Sequence, residues 1–142
     1  MSEIKVDNLT GKTTAGDITV TSEGGAVTMQ LQQGLAKAWS NFDQRSSLSV
    51  LDSFNLSSQL DVEAGNISLT LSNNMSNANY VVTGLGHYID STANALCPII
   101  ALRRGETKTT SGYQTQTADA TWSGTAGADV DEVMTSANGD LA

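Results

Sequence analysis

The chain has 142 residues, of which 39% are hydrophobic, 5% aromatic and 15% charged, and its formal net charge is −8 at pH 7. This length predicts one domain that can bury a core without help from disulfides or metals. Seven basic residues against fifteen acidic ones exclude nucleic acid and anionic membrane surfaces as partners. The longest apolar run, residues 95–102, contains Pro98 and is far shorter than the roughly 20 residues of a membrane-spanning helix.

The first 33 residues alternate in short apolar bursts. One burst holds Ile4 and Val6, and two others cover residues 16–21 and 26–31. The pair Gly24-Gly25 could close a tight hairpin between the last two. These bursts carry few bulky side chains, and such an arm cannot bury enough surface alone. We therefore interpret residues 1–33 as an extended N-terminal β arm for docking or oligomerisation, which packs on the main domain or, as we favour, on a neighbouring subunit.

Residues 34–82 contain the clearest strand pattern in the chain. We predict strands at residues 35–42, at 47–51 leading into 54–56, at 67–71, where apolar residues alternate strictly, and at 80–82. A short helix over residues 28–39 is the alternative for the first part, although Gly34 inside it costs about 1 kcal/mol relative to alanine. Trp39 is the expected anchor of the first strand. The expected scaffold of the core consists of Trp39, Phe42, Phe54 and Tyr80.

The remainder, residues 83–142, continues the β pattern. The apolar run to Leu102 is interpreted as a central strand, with Pro98 at an edge or bulge because it lacks an N–H group. The last strand is predicted at residues 130–137, with Val130, Glu132, Met134 and Ser136 on one face. A spacing of about ten residues per strand and turn is typical of a sandwich. We predict an all-β, antiparallel, jelly-roll-like β-sandwich over residues 34–142, preceded by the arm.

Few residues are candidates for chemistry. His87 is the single histidine and Cys97 the single cysteine, so we interpret His87 as a surface or half-buried strand residue and Cys97 as a small buried hydrophobe. The cluster of Asp129, Asp131 and Glu132 could help to hold calcium, but it lacks the calcium-loop pattern, and a solvated strand edge is the favoured interpretation. We predict no catalytic residue, cofactor site or metal site.

Several motifs of the middle third of the chain occur together. They are Gly34-Leu35-Ala36-Lys37-Ala38-Trp39 followed by Asn41-Phe42, Asp52-Ser53-Phe54-Asn55-Leu56-Ser57-Ser58, Gly65-Asn66-Ile67-Ser68-Leu69, and Ala78-Asn79-Tyr80-Val81-Val82. This combination resembles a module that recurs in tail-fibre and other virion proteins of tailed bacteriophages of marine bacteria. The first seven and the last four residues are similar to such proteins as well. Residues 43–47 replace the glycine-rich turn of the module, and the chain after Thr117 is atypical.

The resemblance implies a non-enzymatic structural module, at the distal end of a fibre and trimeric, without catalytic residues. A full fibre needs an anchor, a shaft and a tip, whereas this chain has room for an arm and one module. We therefore expect a small virion surface subunit, either a capsid-decorating or a short tail-fibre protein. It would be made in the cytoplasm of the bacterial host and would bind other virion proteins of the capsid or tail.

A host-receptor adhesin that binds surface glycans is the alternative. Sites of this kind use exposed aromatic side chains with amide and carboxylate groups nearby, and Tyr113 with Trp122 are the candidates. A hydrolase of host polysaccharide is a third interpretation. It requires two carboxylates about 5–10 Å apart across a cleft, which the sequence does not reveal.

Overall fold

The computed structural model describes residues 3–12, 18–21, 28–89, 98–119 and 127–142. The chain divides into two compact units, Met1–Leu35 and Ala36–Ala142. The sequence-based boundary after residue 33 lies two residues before this division. In the described ranges, no helix is long and apolar enough to cross a membrane.

The N-terminal unit contains a small antiparallel ribbon. Strands β1 (Thr19–Thr21) and β2 (Thr28–Gln30) pair with each other, and a 3₁₀ helix (Gln32–Gly34) follows. All six strand residues are exposed. The predicted Gly24-Gly25 turn lies outside the described residues.

The prediction of a strand around Ile4 and Val6 is wrong. Residues 3–12 contain no strand, and the two side chains are 86% and 60% exposed. Alternation makes one face of a segment apolar, but a strand forms only where a neighbouring backbone supplies hydrogen-bond partners.

The second unit is a β-sandwich, as the sequence predicts. Its strands are β3 (Ala38–Asp43), β4 (Ser49–Phe54), β5 (Leu56–Glu63), β6 (Asn66–Leu71), β7 (Val81–His87), β8 (Pro98–Leu102), β9 (Gly112–Asp119) and β10 (Glu132–Asn138). They form two four-stranded antiparallel sheets, a first sheet in the order β4-β3-β10-β7 and a second sheet in the order β5-β6-β9-β8. The two sheets pack against each other.

The core lies between the facing sides of the two sheets. Ile67 and Leu69 of β6 alternate with polar residues and are at most 1% exposed, and they pack in one cluster with Phe42 of β3 and Val133 of β10. Burying each side chain of this size contributes about 1.5–3 kcal/mol. The strict period of two in β6 is therefore what fixes its register against the facing sheet.

Asn55 forms the corner at which the chain passes from the first sheet to the second. It is the single residue between β4 and β5, and its φ is 57°. Its Nδ2 donates to the carbonyl of Lys37 at 2.9 Å, and its Oδ1 accepts from the N–H of Asn73 at 2.7 Å. Asparagine tolerates this left-handed conformation better than most residues, and the side-chain hydrogen bonds hold the corner.

Three face assignments made from the sequence are wrong. Trp39 is 36% exposed and Phe54 is 53% exposed, so neither anchors the core, whereas Phe42 and Tyr80 are buried as expected. Val130 precedes β10 and is fully buried, so it does not share the half-buried face of Glu132, Met134 and Ser136. A period of two sorts residues into two faces but does not say which face is covered.

The placement of β8 is also corrected. The sequence predicts a central strand from its apolar run, but β8 lies at the edge of the second sheet and, among the described residues, pairs with β9 alone. Pro98 is its first residue. The edge position of this proline agrees with the prediction, because a residue without an N–H group would leave a gap in the hydrogen-bond ladder of a central strand.

Candidate functional site

The three acidic residues that the sequence offered for calcium each bind a different partner. Asp129 Oδ1 accepts the N–H of Gly65 at 2.6 Å, and Asp131 forms an ion pair with Arg45 at 2.7 Å. Glu132 accepts from Asn41 Nδ2 at 2.8 Å. Among the described residues, no group of three or more histidine, cysteine or acidic side chains is arranged to hold a metal ion.

The Asp129 contact belongs to a loop clamp beside β6 and β9. Gly65 has φ +72°, and a Cβ atom there would lie 2.6 Å from the carbonyl oxygen of Thr117 and 2.6 Å from the N–H nitrogen of Ala128. The Thr117 hydroxyl donates to the carbonyl of Ala128 at 2.6 Å. These contacts fasten the segment before β10 to the turn before β6, which is a structural use of these polar groups.

Tyr113 is a core residue, so the expectation of an exposed aromatic at this position is wrong. Its side chain is 3% exposed, its hydroxyl lies 3.2 Å from Thr135 Oγ1, and its ring contacts Tyr80 edge-on at 6.2 Å between centroids. The Tyr80 hydroxyl donates to the carbonyl of Gly112 at 2.8 Å. Trp122, the second residue predicted for ligand binding, lies outside the described residues, as does Cys97.

The environment of the two tyrosines keeps both phenols neutral. Burial and, to a lesser extent, the neighbouring Tyr113 raise the pKa of Tyr80 to about 12. Burial also raises the pKa of Tyr113, while its hydrogen bond with Thr135 lowers it. Lys108 donates to the carbonyl of Tyr80, and its ammonium lies 4.9 Å from the centre of the Tyr80 ring. The contact between Tyr80 and Tyr113 therefore links the start of β7 to β9.

His87 is the last residue of β7 and is exposed. Its Nδ1 lies 3.5 Å from Glu132 Oε2, and the other oxygen of Glu132 accepts from Asn41. The three side chains therefore form a polar row across β7, β10 and β3 on the outer side of the first sheet.

The outer side of the first sheet also carries an aromatic pair that the sequence interpretation assigned to the core. Trp39 on β3 and Phe54 on β4 are directly opposite each other. Asn41 and Asp52 form the next pair on the same side, two residues along each strand. We call these four residues the aromatic platform. It combines two exposed rings with the exposed carboxylate of Asp52, whereas the Asn41 amide donates to Glu132 and its Oδ1 is buried.

The apolar character of this side continues toward β7. Met134 of β10 is half-buried and pairs with Leu85 of β7, which is 70% exposed, and Val81 on the same side of β7 is 58% exposed. Cross-strand and diagonal neighbours on one face of a sheet are close enough to touch. The outer side of the first sheet therefore exposes apolar side chains on β4, β3 and β7, with the half-buried Met134 of β10 between them.

The outer side of the second sheet is different. Its rows are dominated by hydroxyl and amide side chains, namely Ser58, Ser68, Thr70, Gln114 and Gln116. A shallow groove beside it is lined largely by hydroxyl groups of Ser68, Thr70, Thr107, Thr109 and Ser111. An antiparallel sheet that faces water usually has polar side chains on its outer face. The exposed apolar side chains on the outer face of the first sheet are therefore the unusual feature.

Comparison with known proteins gives no match to a protein-family model, a curated protein or a solved structure.

The sequence signal that could have placed Trp39 outside was the spacing of its neighbours. Ala38, Ser40 and Phe42 share the other face, and small residues at the first two positions suit close approach of a facing sheet.

Proposed function

We propose that this protein is a non-enzymatic bacteriophage virion structural protein, a small surface subunit that acts as a capsid-decorating or short tail-fibre protein. The single observation that carries the proposal is the exposed ribbon of the N-terminal unit. All six residues of β1 and β2 are exposed, including Val20 at 43% and Met29 at 53%. A lone two-stranded ribbon is at best marginally stable in water, so it requires a further surface to cover it.

The motifs of the middle third support the same proposal. The residues that resemble the marine bacteriophage module include both buried scaffold positions, such as Phe42 and Ile67, and the corner residue Asn55. These positions hold a sandwich together, as a structural module requires. We therefore propose that the sandwich is a folded module and that the N-terminal arm docks it onto a larger assembly.

The proposed partners follow from this role. They are other virion proteins of the capsid or tail and further copies of the chain, in a homo-oligomer for which the resemblance favours a trimer. The protein would be made in the bacterial host cytoplasm and would end on the virion surface.

The proposal is tested with virions that lack the protein. Cryo-electron microscopy of wild-type and deletion virions is expected to differ by surface density of the size of one sandwich per subunit. Restoring the protein from a plasmid should restore that density. Identical capsid and tail density in wild-type and deletion virions would contradict the proposal.

A second candidate function, a host-receptor adhesin for glycans, is favoured by the aromatic platform. Flat aromatic rings next to hydrogen-bonding side chains suit the C–H faces and hydroxyls of a sugar. The net charge of −8 disfavours acidic glycans, so a neutral glycan is the expected ligand.

Affinity electrophoresis in gels that contain neutral polysaccharides from the host surface tests the adhesin. Trp39→Ala and Phe54→Ala should remove the retardation of the wild-type chain. Leu60→Ala is the matched control, because Leu60 is 63% exposed on the outer side of the second sheet. Equal mobility of wild type and Trp39→Ala in every gel contradicts this second candidate.

A further inference from the structure

The four edge strands of the sandwich are not equally protected. The pairing of β4 with β3 shifts register between Asn41 and Phe42, which makes a bulge, and the pairing of β5 with β6 shifts register twice. Strand β8 begins with Pro98. Bulges and proline are the features by which sheet edges resist the addition of a further strand.

Strand β7 has none of these protections. It pairs with β10 at seven consecutive positions without a shift, and it contains no proline. Among the described residues, the backbone of Val81–His87 forms hydrogen bonds with β10 alone. Within the part of the chain that the structure describes, no backbone group bonds to its other side, and an edge of this kind can serve as a template for a strand.

The side chains of β7 favour the same event. Val81 and Leu85 on its outer side are 58% and 70% exposed. Gly84 and Gly86 lie on its inner side, where a Cβ would lie 3.1 Å from Ile100 Cγ2 and 2.9 Å from Pro98 Cβ, respectively. No acidic residue lies in β7, so Glu3 and Asp7 of an added segment meet no carboxylate within this strand.

A segment with the pattern of a strand but no strand partner exists in the same chain. Residues 3–9 alternate at Ile4 and Val6, which are 86% and 60% exposed, and Leu9 is 60% exposed. This segment contains no proline either. In the described ranges, the edge of β7 and the strand-like segment both lack a strand partner, and the two features are complementary.

We propose that β7 of one copy of this protein accepts residues 3–9 of a second copy as an added strand. The inference rests on the assembling role proposed above and names the segment and the edge that meet. Ile4 and Val6 are two residues apart, so both face the same side of the extended sheet. They would continue the apolar row of Val81 and Leu85, and the added backbone would bond to the free side of β7.

Pairing of β7 with β7 of a second copy is the competing arrangement. It would satisfy the two edges but would leave residues 3–9 without a strand partner. Addition of residues 3–9 gives a strand partner to both the edge and the segment, and it places Ile4 and Val6 beside Val81 and Leu85, which is why we favour it.

Hydrogen exchange of the full chain, followed by mass spectrometry over a protein concentration of about 1 µM to about 1 mM, tests the inference together with sedimentation velocity. We expect peptides that cover residues 3–9 and 81–87 to become protected together, by about tenfold in exchange rate, as the sedimentation coefficient rises. Val6→Pro removes a backbone donor from the added strand, and Leu85→Lys places a charge on the edge. Each should abolish the joint protection.

Two controls keep the result interpretable. Leu60→Lys makes the same change at a residue 63% exposed on the bulged edge strand β5, and it should leave the association unchanged. Urea midpoints should show that Val6→Pro folds like wild type, because residues 3–12 contain no strand.

Three outcomes overturn the inference. They are a chain that stays monomeric at every concentration, an oligomer in which residues 81–87 are protected but residues 3–9 are not, and an association unaffected by Val6→Pro. Each of these leaves the virion role open, because that role is read from virions and not from the purified chain. Conversely, strand addition in solution with no protein on virions would remove the virion role and keep the inference.

Discussion

Trp39 and Phe54 lie directly opposite each other on β3 and β4, and both side chains are exposed on the outer side of the first sheet. Phe42, three residues after Trp39, is on the other side of β3 and fully buried. The two phenylalanines of the chain therefore have opposite roles, one in the core and one on the surface.

This contrast predicts different costs for the same substitution. Phe42→Ala should lower the free energy of unfolding by about 3–5 kcal/mol, because it removes buried surface and leaves a cavity. Phe54→Ala should cost less than about 1.5 kcal/mol, since half of the side chain is already in water. Urea unfolding followed by circular dichroism measures both. Equal losses for the two variants would contradict the assignment of the faces.

The Gly65 turn predicts a second pair of variants. Gly65→Ala places a Cβ 2.6 Å from two backbone atoms at a φ of +72°, so it should cost well above the roughly 1–3 kcal/mol of the backbone conformation alone. Gly105→Ala is the control, with φ +85° and no atom within 4 Å of the added Cβ. It should show the conformational cost only. A smaller loss for Gly65→Ala than for Gly105→Ala, in the same urea titration, would refute the close approach.

The corner at Asn55 predicts a graded series. Asn55→Gly keeps a residue that tolerates φ 57° but loses the bonds to Lys37 and Asn73, at about 1–3 kcal/mol. Asn55→Ala loses the bonds and adds backbone strain of at least about 1 kcal/mol. Ser46→Gly, at a φ of 69° in a turn, should cause no loss. The order of the urea midpoints checks the series, and Asn55→Ala above Asn55→Gly would contradict it.

The buried tyrosine pair predicts loss of stability in alkali. Tyrosines of the unfolded chain ionise near pH 10, whereas the pKa of Tyr80 is about 12 and that of Tyr113 is raised. The stability that comes from keeping these phenols neutral is therefore fully present below about pH 10 and is lost as the pH rises toward about 12.

Urea midpoints measured from about pH 8 to about pH 12 should fall above pH 10 in the wild-type chain. Tyr80→Phe is less stable at neutral pH because it loses the hydrogen bond to Gly112, but its midpoint should fall less steeply above pH 10. The two chains are compared by the slope of the urea midpoint against pH, and not by the absolute midpoints. Parallel slopes for the two chains would argue against a raised pKa.

The parts of the fold that the sequence predicts are those in which periodicity and burial agree. In β6 the apolar residues Ile67, Leu69 and Leu71 occur at every second position, and all three are buried. The turn at Gly65 is also visible, because glycine before a strict alternation marks a turn. The sandwich class follows from several such segments at regular spacing.

The errors have a common physical origin in information that lies outside each segment. Whether Ile4 and Val6 form a strand depends on a partner backbone, and whether Trp39 or Phe42 faces the core depends on which side the second sheet covers. The aromatic platform depends in addition on the register that places Phe54 opposite Trp39. Periodicity within one segment contains none of these facts, so the platform could not be predicted from it.

Quantitative mass spectrometry of purified virions tests the central claim, that this sandwich is a virion surface subunit, most directly. We expect the protein to be present in a fixed ratio to the major capsid protein after gradient purification, and to be removed by protease treatment that leaves the capsid shell intact. A high ratio would favour capsid decoration and a low one a tail position. Absence of the protein from purified virions would contradict the claim.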